Sequence, residues 1–506
     1  GAQGPKGDQG VAGPAGQDGA DGAQGPKGDQ GVGVSQTTID ADGNLIVTLT
    51  NGSEINAGQV GNSNSTLKLS KNSAVFDYRG GTRSINIESN TDWEWEIDDF
   101  WITQSSLDLG FQNGSKTFTY EVAPLEGNAP REGSIIFTST NGPRYEWYFT
   151  IRQEPPAFTP WQQLGTDIDG EAQDDVSGYS VSLSADGSTV AIGAPENYDN
   201  GQYSGHVRVY QYINSSWQQL GTDIDGEAAG DISGFSVSLS ADGSTVAIGA
   251  PGNDDNGQYS GHVRVYQYIN SSWQQLGADI DGEGEENDSS GSSVSLSADG
   301  STVAIGAYRN NSKGNDTGTV RVYQYINSSW VQLGTDFDGE AAGDNSGYSV
   351  SLSADGSTVA IGAPYNGGNG LDSGHVRIYQ YINSSWQQLG TDIDSEAAQD
   401  QSGWSVSLSA DGSTVAIGAP SNGGNVDGSG HVRIYQYIDS SWQQLGTDID
   451  GEAEYDGSGS SVSLSADGST VAIGARTNDG NGTWSGHVRV YQYIDSSWVQ
   501  LGTDFD

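Results

Sequence analysis

Tryptophan returns along the second part of this chain at a nearly constant interval. Trp161, Trp217, Trp273, Trp330, Trp386 and Trp442 each open a segment of about 56 residues, and Trp498 starts a shorter seventh. In consensus the segment reads WQQLGTDIDGEAAGD-SGYSVSLSADGSTVAIGAP-loop-SGHVRVYQYINSS. A unit this small cannot bury its apolar face alone, so its copies must stack on one another. Four short alternating runs per repeat predict one four-stranded β-propeller blade per copy.

In the first repeat the strands are expected at Tyr179–Ser184 (A), Thr189–Ala194 (B), His206–Tyr212 (C) and Trp217–Thr222 (D). Bulky Tyr179, Val181 and Leu183 alternate with Ser180, Ser182 and Ser184, and Val190 and Ile192 alternate with Ala191 and Gly193. One bulky and one small face let neighbouring blades approach closely. The A–B–C triplet occurs six times, whereas the D-type run occurs seven times, from Trp161 to Trp498. A seven-bladed ring would use the Trp161 run to complete a last blade whose A–B–C lies beyond Asp506. Gly1 already opens a triplet and Asp506 falls within an LGTDID-type motif, so both ends are expected to be cut.

The region before the repeats is different in kind. Residues 1–33 are uninterrupted Gly-X-Y triplets, the period that the crowded axis of a collagen triple helix demands. A triple helix implies a homotrimer. Residues 34–61 alternate apolar and polar around Asp42-Gly43 and Asn51-Gly52, a hairpin pattern expected to form a trimer neck. Residues 65–154 carry strand runs at 67–69, 74–78, 84–88, 117–122, 134–138 and 145–152, spaced for a β-sandwich. Residues 155–160 form a Pro-rich hinge, and 161–506 the propeller. The expected fold class is thus all-β: collagen stalk, β neck, immunoglobulin-like sandwich, propeller.

Composition narrows function. The chain has 506 residues, 75 glycines, no cysteine, no methionine and a formal charge of −47. Without cysteine there are no disulfides, thiolates or Cys-based zinc sites. No apolar run is long enough to span a membrane. From Trp161 onward 46 Asp+Glu face 9 Lys+Arg, with Lys313 the one lysine. Such a surface repels phosphate backbones, which argues against nucleic-acid binding and suits an extracellular, calcium-containing medium.

Within 65–154, TDWEWEI followed by Trp101, then Asn128-Ala-Pro-Arg131-Glu-Gly133-Ser-Ile135, and the closing FTIRQ at Gln153 resemble a BACON domain. That resemblance implies an immunoglobulin-like module of Bacteroidetes surface proteins and some of their phages. Its Trp93, Trp95 and Trp101 are expected in the sandwich core, the alternative being a sugar platform. In the repeats, the pattern SGYSV…DG…VAIGAP…GHVRVY, with Phe235-Ser-Val and Ala250-Pro251, resembles the FG-GAP repeats of integrin α-chain propellers. Members of that family often bind calcium in the A–B loop. SADGS keeps one acid per repeat there (Asp186, Asp242, Asp299, Asp355, Asp411, Asp467), a departure from that pattern.

Two sets of candidate site residues emerge. Strands in a blade alternate direction, so the A–B and C–D turns share one face and the D–A and B–C loops the other. The first pair is nearly invariant and the second varies, as expected of a binding surface on a rigid scaffold. Its candidate ligand contacts are Tyr198, Tyr203, Tyr259, Tyr308, Arg309, Tyr365, Arg476 and Trp484. The second set is the D-x-D-G-E motif of the D–A loop: Asp167, Asp169, Glu171; Asp223, Asp225, Glu227; Asp336, Asp338, Glu340; Asp448, Asp450, Glu452. Another acid usually follows (Asp174 or Asp175, Asp231, Asp344, Asp456), and several hard oxygens within eight residues suit calcium, the bland alternative being turn-capping aspartates.

His206, His262, His375, His431 and His487 share one repeat position, filled by Thr319 in the third copy. A group repeated once per blade is expected to be structural rather than catalytic. Asn214, Asn270, Asn327 and Asn383 sit in N-S-S sequons, but Asp439 and Asp495 replace them, which favours a turn role over glycosylation. No Ser-His-Asp set, P-loop or His-metal spacing appears. The expected role is a non-enzymatic adhesion or receptor-binding fibre, of a bacterial surface or a virion tail, recognising a cell-surface glycan or protein. A glycan-degrading enzyme with acids at the propeller centre and a structural spacer are the alternatives.

Overall fold

A computed structural model describes residues 34–39, 44–50, 52–59, 67–76, 80–97, 99–104, 112–123, 130–140, 144–153, 161–283, 287–424 and 426–505. The Gly-X-Y stretch 1–33, the hinge 155–160 and the turn residues Asp42, Gly43 and Asn51 lie outside these residues. The chain divides into two compact units, Gly1–Ala157 and Phe158–Asp506, each considered by itself.

In the first unit, β1 (Val34–Ile39), β2 (Asn44–Leu49) and β3 (Glu54–Gln59) form an antiparallel meander in that order. Next come β4 (Leu67–Leu69), β5 (Ser73–Phe76), β6 (Gly81–Ser89), β7 (Asp92–Ile97), β8 (Ile102–Gln104), β9 (Gln112–Asn113), β10 (Lys116–Val122), β11 (Arg131–Ser139) and β12 (Glu146–Gln153). They build two sheets, β4-β6-β10-β8 and β5-β12-β11-β7-β9, over one core. Strand β7, which the run-by-run reading of the sequence leaves out, turns its two tryptophans inward. Trp93 is 1% exposed, Trp101 5%, and Trp95 packs on the same core. The three tryptophans are core side chains here, not an open platform; the Trp93 indole N–H also donates to the Gly114 carbonyl at 3.1 Å.

In the second unit each complete repeat forms one antiparallel sheet. Blade 1 comprises strand A (Ser180–Leu183), strand B (Thr189–Ala194), strand C (His206–Ile213) and a strand D in two pieces, Ser216–Gln219 and Ile224–Asp225. The pieces pair with opposite halves of C, Tyr210 against Gln219 and His206 against Asp225. The single D strand expected at Trp217–Thr222 is interrupted because Gly221 takes φ +82, a left-handed conformation that cannot continue a ladder. The turns explain their own sequences. Asn214 (φ 51) and Ser215 (φ 65) are both left-handed, as a two-residue I′ hairpin requires, and Asp439 and Asp495 serve equally there. In the A–B turn, Asp186 accepts hydrogen bonds from the Ser188 amide (2.9 Å) and the Ser184 hydroxyl (2.7 Å). The amide bond first, then the hydroxyls, lowers its carboxyl pKa to about 2.

Blades stack through the faces that the alternation sets up. Ala191, Val207, Val209 and Ile224 of blade 1 bury against Val237, Leu239, Val246 and Ile248 of blade 2, and the same cluster recurs at each seam up to blade 6. Gly193 needs its missing Cβ, since one built there would overlap the Gly234 carbonyl of the next blade. An inner ladder of backbone bonds runs from Ala185 to Ala241, Ala298, Ala354, Ala410 and Ala466.

At the outer rim each repeat's indole N–H donates to the leucine carbonyl of the preceding D-type segment. The pairs are Trp217–Leu164 (2.8 Å), Trp273–Leu220, Trp330–Leu276, Trp386–Leu333 and Trp442–Leu389 (2.6 Å each), and Trp498–Leu445 (2.7 Å). Trp161 completes the cycle by donating to Leu501 at 3.2 Å. Seven rim positions are therefore filled around six sheets. The Trp161 segment occupies the seventh rim position, and the inner place between blades 6 and 1 is open. Val181 and Leu183 on one side are 63% and 59% exposed, against 9% and 7% for Val237 and Leu239. On the other side Val488 and Phe505 are 38% and 41% exposed, against 0% and 5% for Val263 and Ile280.

Candidate functional site

The D–A and B–C loops form one connected layer. The Gly230 amide donates to the Gln202 carbonyl, and the Asn200 carboxamide to Gly226 O at 2.7 Å. Buried Asp231 binds the Glu227 and Ala228 amides (3.0 and 2.8 Å) and the Asn253 carboxamide. It caps the loop, a structural duty repeated by Asp344.

At the centre of this layer aromatic side chains from different blades converge. Tyr179 packs on Phe235 with ring centroids 4.9 Å apart, and Tyr348 on Trp404 at 4.6 Å. Tyr308 and Tyr365 meet Tyr348 edge-on at 5.5 and 6.5 Å. The Arg476 guanidinium lies 5.4 Å from the Trp404 ring. Burial, then neighbouring Tyr365 and Tyr308, push the Tyr348 hydroxyl well above its ordinary pKa; burial, then Tyr308, raises Tyr179. The ring contacts form two groups: Tyr179 with Phe235 from blades 1 and 2, and a larger group of Tyr308, Tyr348, Tyr365, Trp404 and Arg476 from blades 3 to 6. Beside it a groove of about 420 Å³ is lined by Asp372, Gln399, Gln401, Asp427, Tyr455 and Arg476, among others.

Of the loop residues singled out from sequence, Tyr308, Tyr365 and Arg476 thus join the axial cluster, and Arg309 stacks beside Tyr308 at 5.3 Å. Tyr198 and Tyr203 pair with each other at 5.1 Å instead, and with Tyr259 and Trp484 they stay substantially exposed. The sequence reading assigned Tyr179 to blade packing and passed over Phe235, Tyr348 and Trp404 as ligand contacts. The available signal was variation within a constant frame: the first strand-A position reads Tyr, Phe, Ser, Tyr, Trp, Ser around the ring.

The D-x-D-G-E motifs are not assembled as local triplets. Those at Asp223–Glu227 and Asp448–Glu452 are each divided between two seams. Glu171 joins Asp199, His206 and Asp223, and Glu227 joins Asp255, His262 and Asp279, the donor atoms of each set lying within 4.8 Å of one another. Three further sets are Glu340, His375, Asp392; Glu396, His431, Asp448; and Glu452, His487, Asp504. The remaining acids have other duties. Asp167 accepts from Gln163 at 2.6 Å. The carbonyls of Asp169, Asp225, Asp338 and Asp450 accept from Arg208, Arg264, Arg377 and Arg489. Asp336 faces Arg321 at 3.4 Å. Burial, and next the Arg264 guanidinium, hold the His262 imidazole below its ordinary pKa against the pull of Asp279 and Glu227; His375 and His431 shift the same way.

Three segments match the FG-GAP repeat family: residues 222–266, 273–323 and 335–379. Each covers D-type, A, B and C elements in the phase seen in the structure. No curated protein sequence matches the chain. Among solved structures, the β-propeller domain of the Trilobed protease from Pyrococcus furiosus is similar at 12% identity and a TM-score of 0.37, covering 64% of this chain and 84% of that one. AofleA from Arthrobotrys oligospora gives 10% and 0.38, with 65% and 88% covered. A Bacteroides ovatus GH5 xyloglucanase in complex with a XXXG heptasaccharide gives 15% and 0.17 over 24% of this chain, which spans 29% of that enzyme. Residues 222–266, 273–323 and 335–379 are thus similar to FG-GAP repeats, and they fold as stacked blades of a β-propeller.

Proposed function

We propose that the chain is a non-enzymatic, extracellular adhesion fibre whose propeller face binds a carbohydrate. The observation that carries this reading is the axial cluster of Tyr179, Phe235, Tyr308, Tyr348, Tyr365 and Trp404 with Arg476. Aromatic faces pack against the apolar faces of sugar rings, and a few polar groups fix their orientation. The adjoining groove supplies carboxamides, carboxylates and a guanidinium for hydroxyl recognition. A glycan array probed with the full chain is expected to give hits whose affinity falls at least tenfold, about 1.4 kcal/mol, in Trp404→Ala. Trp484→Ala, on an exposed loop tip, should bind as the parent does. An array without hits, or equal loss in both variants, counts against the axial site.

The Gly-X-Y triplets support a homotrimer, which would join three weak sites into one avid particle. Sedimentation, before any collagenase digestion, is then expected to give three chains of 52.9 kDa each. A monomer before digestion would refute the trimer.

A further inference from the structure

We propose that the seams of blades 1 and 2 are binding sites for divalent transition-metal ions of the zinc class, each held by the imidazole Nδ1 of His206 or His262 and by carboxylates from two successive repeats. The histidines are the independent sign of a ligand. His262 is fully buried and neither ring nitrogen has a hydrogen-bond partner; His206, 1% exposed, has an unpartnered Nδ1. A neutral imidazole holds one N–H and one lone pair, and leaving both unmet in the interior is costly.

These nitrogens point at carboxylates without bonding them. Nδ1 of His206 lies 3.9 Å from Glu171 Oε2 and 3.9 Å from Asp199 Oδ2, and Nδ1 of His262 lies 3.9 Å from Glu227 Oε2. The corresponding gaps are 3.8 Å for His375–Asp392, 3.7 Å for His431–Asp448 and 4.0 Å for His487–Glu452. Such distances exceed a hydrogen bond. They lie close to the separation of about 3.3–3.5 Å between two ligands that share an ion at bond lengths of about 2.0–2.1 Å. The second oxygen of each glutamate is already taken. Arg208 Nη1 sits 3.4 Å from Glu171 Oε1 and Arg264 Nη1 3.6 Å from Glu227 Oε1, leaving the other oxygen turned to the histidine. In blades 1 and 2 three carboxylates face one guanidinium, a double negative excess that one divalent ion balances.

Blade 3 shows what happens when the histidine is missing. Thr319 stands in its place and donates to Asp338 Oδ1 at 2.7 Å. The one lysine of the propeller, Lys313, lies in the same blade and brings its ammonium to 3.7 Å from Asp338 Oδ2. In the one blade without the imidazole, Glu283 and Asp336, the counterparts of the acids that face the histidines, both pair with Arg321, and the ammonium adds a cation on Asp338. The imidazole donor also sets the class of ion. Calcium takes oxygen ligands, whereas mixed imidazole and carboxylate sets favour zinc and its neighbours. This separates the two seams from a calcium loop.

The test is metal stoichiometry on the untagged full chain, stripped with chelator and titrated calorimetrically with zinc, with cobalt(II) absorption as the coordination readout. The parent is expected to bind two zinc ions, and His262→Gln and Asp255→Asn one each, both keeping the parent's far-ultraviolet circular dichroism. Should His262→Gln misfold, the exposed Asp255→Asn still decides the matter. Uptake below one ion per chain, unchanged stoichiometry in both variants, or full displacement of zinc by millimolar calcium would overturn the proposal.

Discussion

A copy of residues 226–269 appended after Asp506 is expected to raise the propeller's melting temperature by roughly 5–10 °C. The segment supplies an A–B–C triplet in register, because Asp225 and Asp506 occupy equivalent places in the TDID and TDFD motifs. It would enter the open inner position while the Trp161 segment already stands at the matching rim. Val181, Leu183, Val488 and Phe505 are roughly half exposed there, and their counterparts at the other seams are buried except for the partly buried Val462. Covering four such side chains contributes on the order of 4 kcal/mol before the new strands are ordered. Calorimetry compares the two chains directly. An extended protein that melts no higher, or that gains a separate low-temperature transition, would show that the gap does not accept the unit.

Gly306→Ala carries the opposite sign. Alanine favours an extended strand over glycine in the unfolded-state balance, yet its Cβ would overlap the Gly347 carbonyl of the next blade and the Ser293 hydroxyl. Backbone cannot yield as a side chain can, so the seam must open, at a cost of about 3 kcal/mol. Gly474 is the internal comparison. It occupies the same position in blade 6, where the Ser461 hydroxyl is the close neighbour and no carbonyl of a following blade stands against it. Gly474→Ala is therefore expected to cost under about 1 kcal/mol, as a flexible side chain turns aside. In a stacked array stability is nearly a sum over seams, which keeps the two values comparable in denaturant melts. Equal costs at the two glycines would contradict the open position.

Much of this was legible in the repeat. Its period implied blades, its alternation implied a bulky and a small face, and strand B fell where Val190 to Gly193 placed it. The invariant turns were readable because Asn214 and Asp186 act on neighbours within a few residues. Strand D was not, since its break depends on a left-handed Gly221 rather than on hydrophobic order. The candidate sites were legible only in part. The sequence showed acids beside acids within D-x-D-G-E, while the fold sends Asp223 to one seam and Glu227 to the next. It showed five equivalent histidines, and equivalence alone argued for a structural role.

What the sequence determined by itself is everything that acts over one repeat: strand order, turn type, the face that varies and the surplus of one D-type run. These follow from local chemistry and from the need of each unit to lean on its neighbour. Which side chains meet across repeats was decided only by the tertiary structure. Tyr348 finds Trp404 and Arg476, His206 faces Glu171, and Trp161 reaches Leu501 because successive sheets turn about a common axis. That turn is set by side-chain packing at the seams, a sum over many contacts that no single repeat contains.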